Sequence, residues 1–455
     1  MSALLGIDLG TSAIKLLLRH SDGRIEKARA GYDEISPAGW LRALENAACE
    51  LDLACVDAIG LSSQVGTYIT DETCVMGWVG AAGLDELHRL KKSFDRDTFI
   101  REISMDHPDM VSYPIPRLMH IKASMPDVKH ICMPKELIVK YLTGNMVSDM
   151  YSWRGLANLE NGRYSRFFLE WIGVDESRLP SLVKPTDMAG RLTADAAAKL
   201  GMRQGTPVYT GCNDFFAGLL GAGIYKTGDI FDVTGTSEHL GGIADKLHDA
   251  AELISGRYFS GYVRYGVTAS SGDSLNYARR LYGGDINIER CLGRTPPLFL
   301  PYLNGERCPV CDPSARGVMF GINAGCDSEM MAYSVMEGVC FNLRQIYERL
   351  NMQPAQVVAC GGAAMNDVLN QLKADILGLK FVSLAEADTS ALGAALIAGV
   401  GCGEFSDMAN VPAAKVLKEY SPQHRFDYTD RYRLFRQLYP ALKDGFTEFG
   451  RLEKI

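Results

Sequence analysis

The chain lacks most of the short motifs by which enzymes announce themselves. Its 455 residues contain no G-x-x-x-x-G-K-[ST] segment and no G-x-G-x-x-G fingerprint, which removes a P-loop and a Rossmann dinucleotide site. Gly-x-Ser-x-Gly and His-Glu-x-x-His are also missing, and with them the commonest hydrolase and zinc-protease readings. Long hydrophobic runs are absent too. The longest small-apolar stretch, Ala391 to Gly401, is too short and too glycine-rich to span a bilayer. The N-terminus enters strand-like sequence at once and meets Asp8, without the basic and long apolar regions of a signal peptide, so the expectation is a cytoplasmic protein. An excess of positive charge is lacking: the net charge of -8 argues against nucleic acid or an anionic membrane as partner. Cys308-Pro309-Val310-Cys311 has no second CxxC to complete a four-ligand zinc site. Cys49, Cys55, Cys132, Cys340 and Cys360 sit in apolar runs, where reduced thiols behave as small hydrophobes, and no disulfides are expected.

What is present is a repeated turn. Gly6-Ile7-Asp8-Leu9-Gly10-Thr11-Ser12 and Phe231-Asp232-Val233-Thr234-Gly235-Thr236-Ser237 each break an apolar strand into Gly-Thr-Ser and continue into a second apolar stretch. Glycine lets backbone N–H groups approach an anion, and the hydroxyls add donors, so two such turns can grip one polyphosphate. The alternative is a pair of unrelated hairpin turns. A repeat near the N-terminus and at mid-chain points to duplicated nucleotide-binding domains, and the length allows two of similar size.

Around these turns the pattern alternates strand and helix. Strands are expected at Ala3 to Leu9, Ala13 to Arg19, Ile25 to Ala30, Val56 to Leu61 and Pro207 to Gly211, with a helix capped by Ser36 and opened by Pro37. Further helices are expected at Pro134 to Leu142 and Ala194 to Leu200. The second half restarts with Asp229 to Thr234 and Ser237 to Ile243. It continues through short strands around Tyr258 to Thr268, helices at Ser274 to Tyr282 and Glu329 to Leu350, the strand Val357 to Cys360 and a helix from Asn366 to Leu377. This is an α/β chain with helices packed on sheets. The boundary is expected near Tyr225 to Gly228, giving domains 1–226 and 227–455.

Three features carry chemistry. Asp8 precedes the first turn, where a carboxylate beside phosphate makes sense if magnesium bridges them; the alternative is a turn-capping aspartate. Asp214 closes a strand and opens an apolar helix, where the helix N-terminus favours an ionised carboxylate ready to accept a proton; the alternative is a plain N-cap. Gly361-Gly362-Ala363-Ala364 separates a strand from a helix, a place where backbone approaches a flat or anionic ligand. Lys15 follows the first turn and adds a positive charge if it is not simply solvated.

Together these residues resemble the FGGY carbohydrate kinases, which include xylulokinases, gluconate kinases and glycerol kinases. The resemblance adds Gly211 to Gly223, Leu300 to Arg307, Asp312 to Gly317, Gly361 to Leu379 and Ala391-Leu392-Gly393-Ala394-Ala395, all in the family's order. It implies two actin-like, ribonuclease H-like domains with mixed sheets flanked by helices and the active site in the interdomain cleft. It implies ATP and magnesium as cofactors, a small sugar, polyol or sugar acid as substrate, and a homodimer. Asp214 would be the catalytic base and Asp8 the magnesium-side carboxylate. Gly10, Thr11, Ser12, Gly235, Thr236 and Ser237 would hold phosphates, and Gly361, Gly362, Ala363 and Asn366 would line the nucleoside.

The departures cluster in the sugar half. The family's Gln-Met-His-Gly is Gln64-Val65-Gly66-Thr67 here, its Trp-x-Asp-x-Arg is Trp78-Val79-Gly80-Ala81-Ala82, and its Glu-Arg-Thr-Pro-His is Glu306-Arg307-Cys308-Pro309-Val310. A buried hydroxyl left without partners costs about 1–3 kcal/mol, so an ordinary pentulose needs substitute contacts. Ser63, Gln64, Trp78, Trp153, Arg154 and Asn213 are the expected substitutes; as single residues they read equally as core aromatics and solvated polar groups. Two other readings stay open: a non-catalytic ATP- or sugar-binding regulator, and an actin-like or chaperone-like ATPase.

Overall fold

Two sheets of the same design organise the molecule. The computed structural model describes residues 3–106, 108, 110–247, 252–283, 291, 294–412 and 414–452. They form two compact units. The first comprises Met1–Tyr225, Gly256–Phe259 and Asp388–Ala414, and the second Lys226–Ser255, Ser260–Ala387 and Lys415–Ile455. The chain therefore returns to the first unit after building most of the second, which a single cut near Tyr225 leaves out.

In the first unit, Ala3–Leu9, Ala13–His20 and Ile25–Gly31 form an antiparallel meander. Ala58–Ser63 lies parallel to Ala3–Leu9 on its other side, Pro207–Asn213 parallel to that, and Met188–Arg191 antiparallel at the edge. The second unit repeats this. Ile230–Thr234, Glu238–Ala244 and Gly261–Thr268 form the meander, followed across the sheet by parallel Val357–Cys360 and Phe381–Leu384 and antiparallel Val416–Tyr420. Each Gly-Thr-Ser turn joins the first two strands of its meander. Gly10 N–H donates to Ala13 O at 3.0 Å, and Gly235 N–H to Ser237 O at 2.8 Å.

The period-2 geometry of a strand decides where Asp8 points. Leu5, Ile7 and Leu9 enter a core with Trp40, Leu44 and Ile138, whereas Leu4 packs with Ala58, Ala395 and Ala398 on the opposite face. Gly6 and Asp8 share that second face. It is covered by the Thr389–Gly401 helix, whose small residues allow backbone-to-backbone approach. A Cβ on Gly6, Gly60 or Gly393 would overlap the carbonyl of Ala391, Ala394 or Ala217 respectively. The Ala391-Leu392-Gly393-Ala394-Ala395 motif is thus a packing device that seats this helix on the Asp8 strand and the helix Asp214–Gly221.

Most expected elements fall within two residues of their observed ends. The strand expected at Val56 to Leu61 is Ala58–Ser63, which brings Ser62 and Ser63 into the sheet. Helices at Leu84–Ser93, Arg96–Ile103, Pro114–Ser124 and Thr429–Leu452 were not expected. Cys132, Cys340 and Cys360 are buried, but Cys49 and Cys55 are exposed: the first follows the Pro37–Ala48 helix and the second lies in the loop before Ala58. Cys308 is buried and Cys311 exposed. Among the described residues, no helix is long and apolar enough to cross a membrane.

Candidate active site

Three parallel strands of the first unit end side by side. Leu9 pairs with Ser63 and Ser63 with Asn213, so the Asp8 turn, Gln64 and Asp214 follow neighbouring strand ends. Ligands bind α/β sheets outside the carboxyl ends of such strands. Gly211, at φ +65°, makes this possible for Asp214: a Cβ there would collide with Leu61 O, and the irregular register between Tyr209 and Cys212 reflects that approach.

Asp214 begins its helix but does not cap it. Asn213 does, its Oδ1 accepting the Phe216 N–H at 2.8 Å, while the Asp214 carboxylate accepts the Phe215 N–H at 2.8 Å. The helix was expected to keep Asp214 ionised. Instead burial, with the neighbouring Asp8 charge, lifts its pKa to about 7, against partial opposition from the Phe215 N–H and Lys15. Desolvation outweighs the helix terminus here.

Asp8 is buried and its pKa is also raised by burial; the Lys15 charge and the Ser62 hydroxyl, 2.8 Å from Oδ1, work against the shift. Lys15 faces Asp8 across the hairpin register but pairs at 3.0 Å with Asp388 at the start of the Thr389–Gly401 helix. Two carboxylates with raised pKa values and a neighbouring lysine already engaged make a site that gains from an added cation. Among the described residues no cluster of three or more His, Cys, Asp or Glu could hold a metal unaided. One carboxylate completed by phosphate oxygens and water is how magnesium is commonly held.

The six expected sugar contacts separate into two groups. Trp153 has no exposed surface. Its ring packs against Tyr68 and Tyr164, and Nε1 donates to Glu136 at 3.3 Å, so it is a core residue. Asn213 spends Oδ1 on the cap and donates from Nδ2 to Tyr151 O at 2.9 Å, and the Ser63 hydroxyl donates to Gln64 O at 2.6 Å. These three are engaged in bonds within the fold. Gln64 is different: its amide oxygen is buried and, among the described residues, has no hydrogen-bond partner. Trp78 is 37% exposed, in a loop whose Gly77 and Trp78 carbonyls accept from buried Arg117 at 2.8 and 3.4 Å. Arg154 is half-buried, donating to Tyr113 Oη at 2.9 Å with its guanidinium over the Phe216 ring.

In the second unit a cleft of about 530 Å³ is lined by Thr234, Gly235, Thr236, Gly272, Leu275, Asn276, Arg279, Gly362, Ala363, Met365 and Asn366. The two expected glycines have separate jobs. Gly361 is required by the fold, since at φ +85° its Cβ would strike Thr234 O, whereas a Cβ on Gly362 would meet nothing within 4 Å. Gly362 therefore leaves open space at the cleft wall. Ser237 and Gly361 do not line the cleft, and Asn366 also caps the Asp367–Leu377 helix through Leu369 N–H at 3.0 Å. Glu306, from the motif unlike its family form, is a buried strut. It accepts from Ala269 N–H at 2.6 Å and Asn342 Nδ2 at 2.8 Å, and burial lifts its pKa to about 8.

Ser62 and Asp388 beside the Asp8 turn, and Arg279 in the cleft lining, were missed from sequence. Ser62 and Asp388 carried no signal apart from the fold that brings them to Asp8.

The model of the FGGY family of carbohydrate kinases, N-terminal domain, matches residues 3–221, and that of its C-terminal domain matches 206–402. The chain is 27% identical to a xylulose kinase of Lactococcus lactis over 96% of this chain and 97% of that protein. It is 26% identical to a gluconokinase of Bacillus licheniformis over 100% of this chain and 98% of that one. Among solved structures, ligand-bound xylulose kinase from Lactobacillus acidophilus superposes with a TM-score of 0.88 at 24% identity, covering 99% of this chain and 100% of that one. Plasmodium falciparum glycerol kinase with ADP does so at 0.83 and 15%, covering 98% of each. These neighbours share the two-domain actin-like fold that the repeated sheets display. With overlapping models running from residue 3 to residue 402, the chain belongs to the FGGY family of carbohydrate kinases and is an ATP-dependent carbohydrate kinase.

Proposed function

We propose that the enzyme transfers the γ-phosphoryl group of ATP to a hydroxyl of a small sugar, polyol or sugar acid, with Asp214 as general base. The observation that carries this reading is Asp214 itself: relieved of capping by Asn213, placed at a strand end beside Asp8, and titrating near 7. A base poised near the working pH exchanges protons most effectively with a reacting group. As the hydroxyl oxygen forms its bond to phosphorus, its proton passes to the Asp214 carboxylate, and the bond to the ADP oxygen breaks.

In the first unit the base stands with Asp8 and the turn Gly10-Thr11-Ser12 as phosphate and magnesium contacts; in the second unit, taken by itself, Gly235-Thr236-Ser237 would hold phosphate and Gly362, Ala363 and Asn366 the nucleoside. The open space at Gly362 supports close approach of a nucleotide. Magnesium, held through Asp8, would offset phosphate charge. Among the substrate contacts, the unpartnered Gln64 oxygen asks for a donor such as a sugar hydroxyl, and Trp78 and Arg154 complete the set. Relatives named for xylulose and gluconate define the acceptors to try first.

The test is ADP release with ATP and magnesium over a panel of ketoses, aldoses, polyols and sugar acids. A hit with kcat of about 1–100 per second and loss of turnover in Asp214→Asn supports the reading. Near-normal turnover in that variant refutes the base.

A further inference from the structure

Beneath the Gly235–Ser237 turn lies a charged cluster that phosphoryl transfer, as proposed, leaves unused. Asp232, Glu238 and Lys373 are all fully buried. Lys373 Nζ donates to Asp232 Oδ2 at 2.6 Å, to Thr234 Oγ1 at 2.9 Å and to Glu238 Oε1, which uses its three protons. The Thr234 hydroxyl donates in turn to Glu238 Oε1 at 2.6 Å, and Ser271 Oγ to Glu238 Oε2 at 2.7 Å.

The cluster joins three separate parts of the chain. Thr234 and Glu238 are the strand ends flanking the turn. Ser271 belongs to the loop whose Ser271 and Gly272 N–H groups donate to Thr236 O at 3.0 Å and Gly235 O at 3.1 Å. Lys373 lies on the Asp367–Leu377 helix, the element that follows Gly362 and Asn366. Gly235 and Thr236 of the turn, Gly272 of that loop, and Gly362 and Asn366 ahead of the helix all line the same cleft. A charged group placed in the middle of a sheet is expensive, and well-packed apolar residues commonly stabilise such a position as well or better. Burial and the neighbouring Glu238 charge raise the Asp232 pKa, while Lys373 keeps that of Glu238 low. The arrangement calls for a role beyond stability.

We propose that Lys373 is a positioning residue: through Asp232, Thr234 and Glu238 it ties the helix behind Gly362 and Asn366 to the Gly235–Ser237 turn, setting the spacing at which both meet one nucleotide. Lys373 is fully buried and does not line the cleft. The inference rests on the cleft being the nucleotide site.

The experiment is calorimetric ADP binding by the full chain, with thermal melts and the KM for sugar alongside. Lys373→Met should weaken ADP binding about tenfold or more while leaving the KM for sugar unchanged, since small misplacements of binding groups carry penalties of that size. Because Lys373→Met strands two buried carboxylates, the triple variant Asp232→Asn, Glu238→Gln, Lys373→Met is measured with it. It should recover thermal stability and still bind ADP weakly. Recovery of both stability and affinity in the triple variant overturns the inference, as does wild-type ADP affinity in Lys373→Met. Gly235→Ala is the control, because its Cβ would make only ordinary contact, 3.5 Å from Ser237 O. If it weakens ADP binding while the Lys373 variants do not, the tether alone fails. Unchanged affinity in all three variants overturns the nucleotide site and the tether with it.

Discussion

Lowering the pH from 8 to 6 should reduce kcat/KM for the sugar by about tenfold, because Asp214 must be ionised to accept a proton and its carboxyl titrates near 7. Below that pH the active fraction falls tenfold per unit. The same shift acts on stability in the opposite sense. Between the unfolded value of 3.8 and the folded value of about 7, the native state holds the proton more tightly, so stability declines as pH rises through that window. At 1.36 kcal/mol per pH unit the interval amounts to about 4 kcal/mol. The side chain keeps part of its surface exposed, and solvent screening reduces the figure to about 1–2 kcal/mol. Asp214→Asn removes the titration, so the variant should lose about 10²–10⁴-fold in turnover yet melt higher than the wild type at pH 8, with the gap closing toward pH 5. Initial rates of ADP release across pH at saturating ATP and magnesium, with paired thermal melts, test both halves. A flat rate profile between pH 6 and 8 refutes the reasoning, and so does an Asp214→Asn protein that turns over normally.

Gly393→Ala places a methyl group against the Ala217 carbonyl, between two helices that cannot separate without opening the sheet face, and should destabilise the protein by about 1–3 kcal/mol or more in chemical denaturation. Gly362→Val meets no protein atom within 4 Å at its Cβ; its stability should stay within about 0.5 kcal/mol of wild type while ADP affinity, read by calorimetry, falls at least several-fold. Trp153→Phe removes the donor to buried Glu136 and should cost about 1–3 kcal/mol in stability, with the KM for sugar unchanged in steady-state kinetics.

The repeated architecture was legible because its signals are local. Ala3–Leu9 and Ile230–Thr234 are apolar runs ending at Gly-Thr-Ser, and Ser36 with Pro37 marks a helix start that the Gly39 N–H to Ser36 Oγ bond realises. The helices between residues 84 and 124 left a fainter trace. Leu84–Ser93 buries only Leu87 and Leu90, and Arg96–Ile103 only Phe99 and Ile103, too few positions to establish a helical period. The Thr429–Leu452 helix carries Pro440 inside it, a residue that ordinarily ends a helix. Asp214 and Asp8 could be named because each sits beside a turn of distinctive composition. Lys373 could not: a lysine on a helix is ordinarily solvated, and only tertiary structure brings it beneath the turn. Asp232 was the available hint, a charge inside an otherwise apolar strand. Residue type likewise does not reveal that Glu136, Tyr151 and Phe216 engage the polar atoms of Trp153 and Asn213.

The duplicated turns meet the same electrostatic problem with different solutions. Each strand that enters a Gly-Thr-Ser turn carries a buried aspartate close to it, Asp8 in one unit and Asp232 in the other. Asp232 has a lysine of its own: Lys373 is fully buried at 2.6 Å, and among the described residues its charge is shared only with Glu238. Among the described residues Asp8 has no such dedicated partner. Lys15 faces it but pairs with Asp388, and what reaches the carboxylate directly is the neutral Ser62 hydroxyl. The second turn is thus internally compensated and can present backbone amides to phosphate without recruiting a cation. The first keeps acidic charge at a strand end, and with Asp214 alongside it that charge is best balanced from outside the protein. The proposed placement of magnesium at Asp8 follows from this asymmetry, which also explains why the same turn sequence need not do the same work twice.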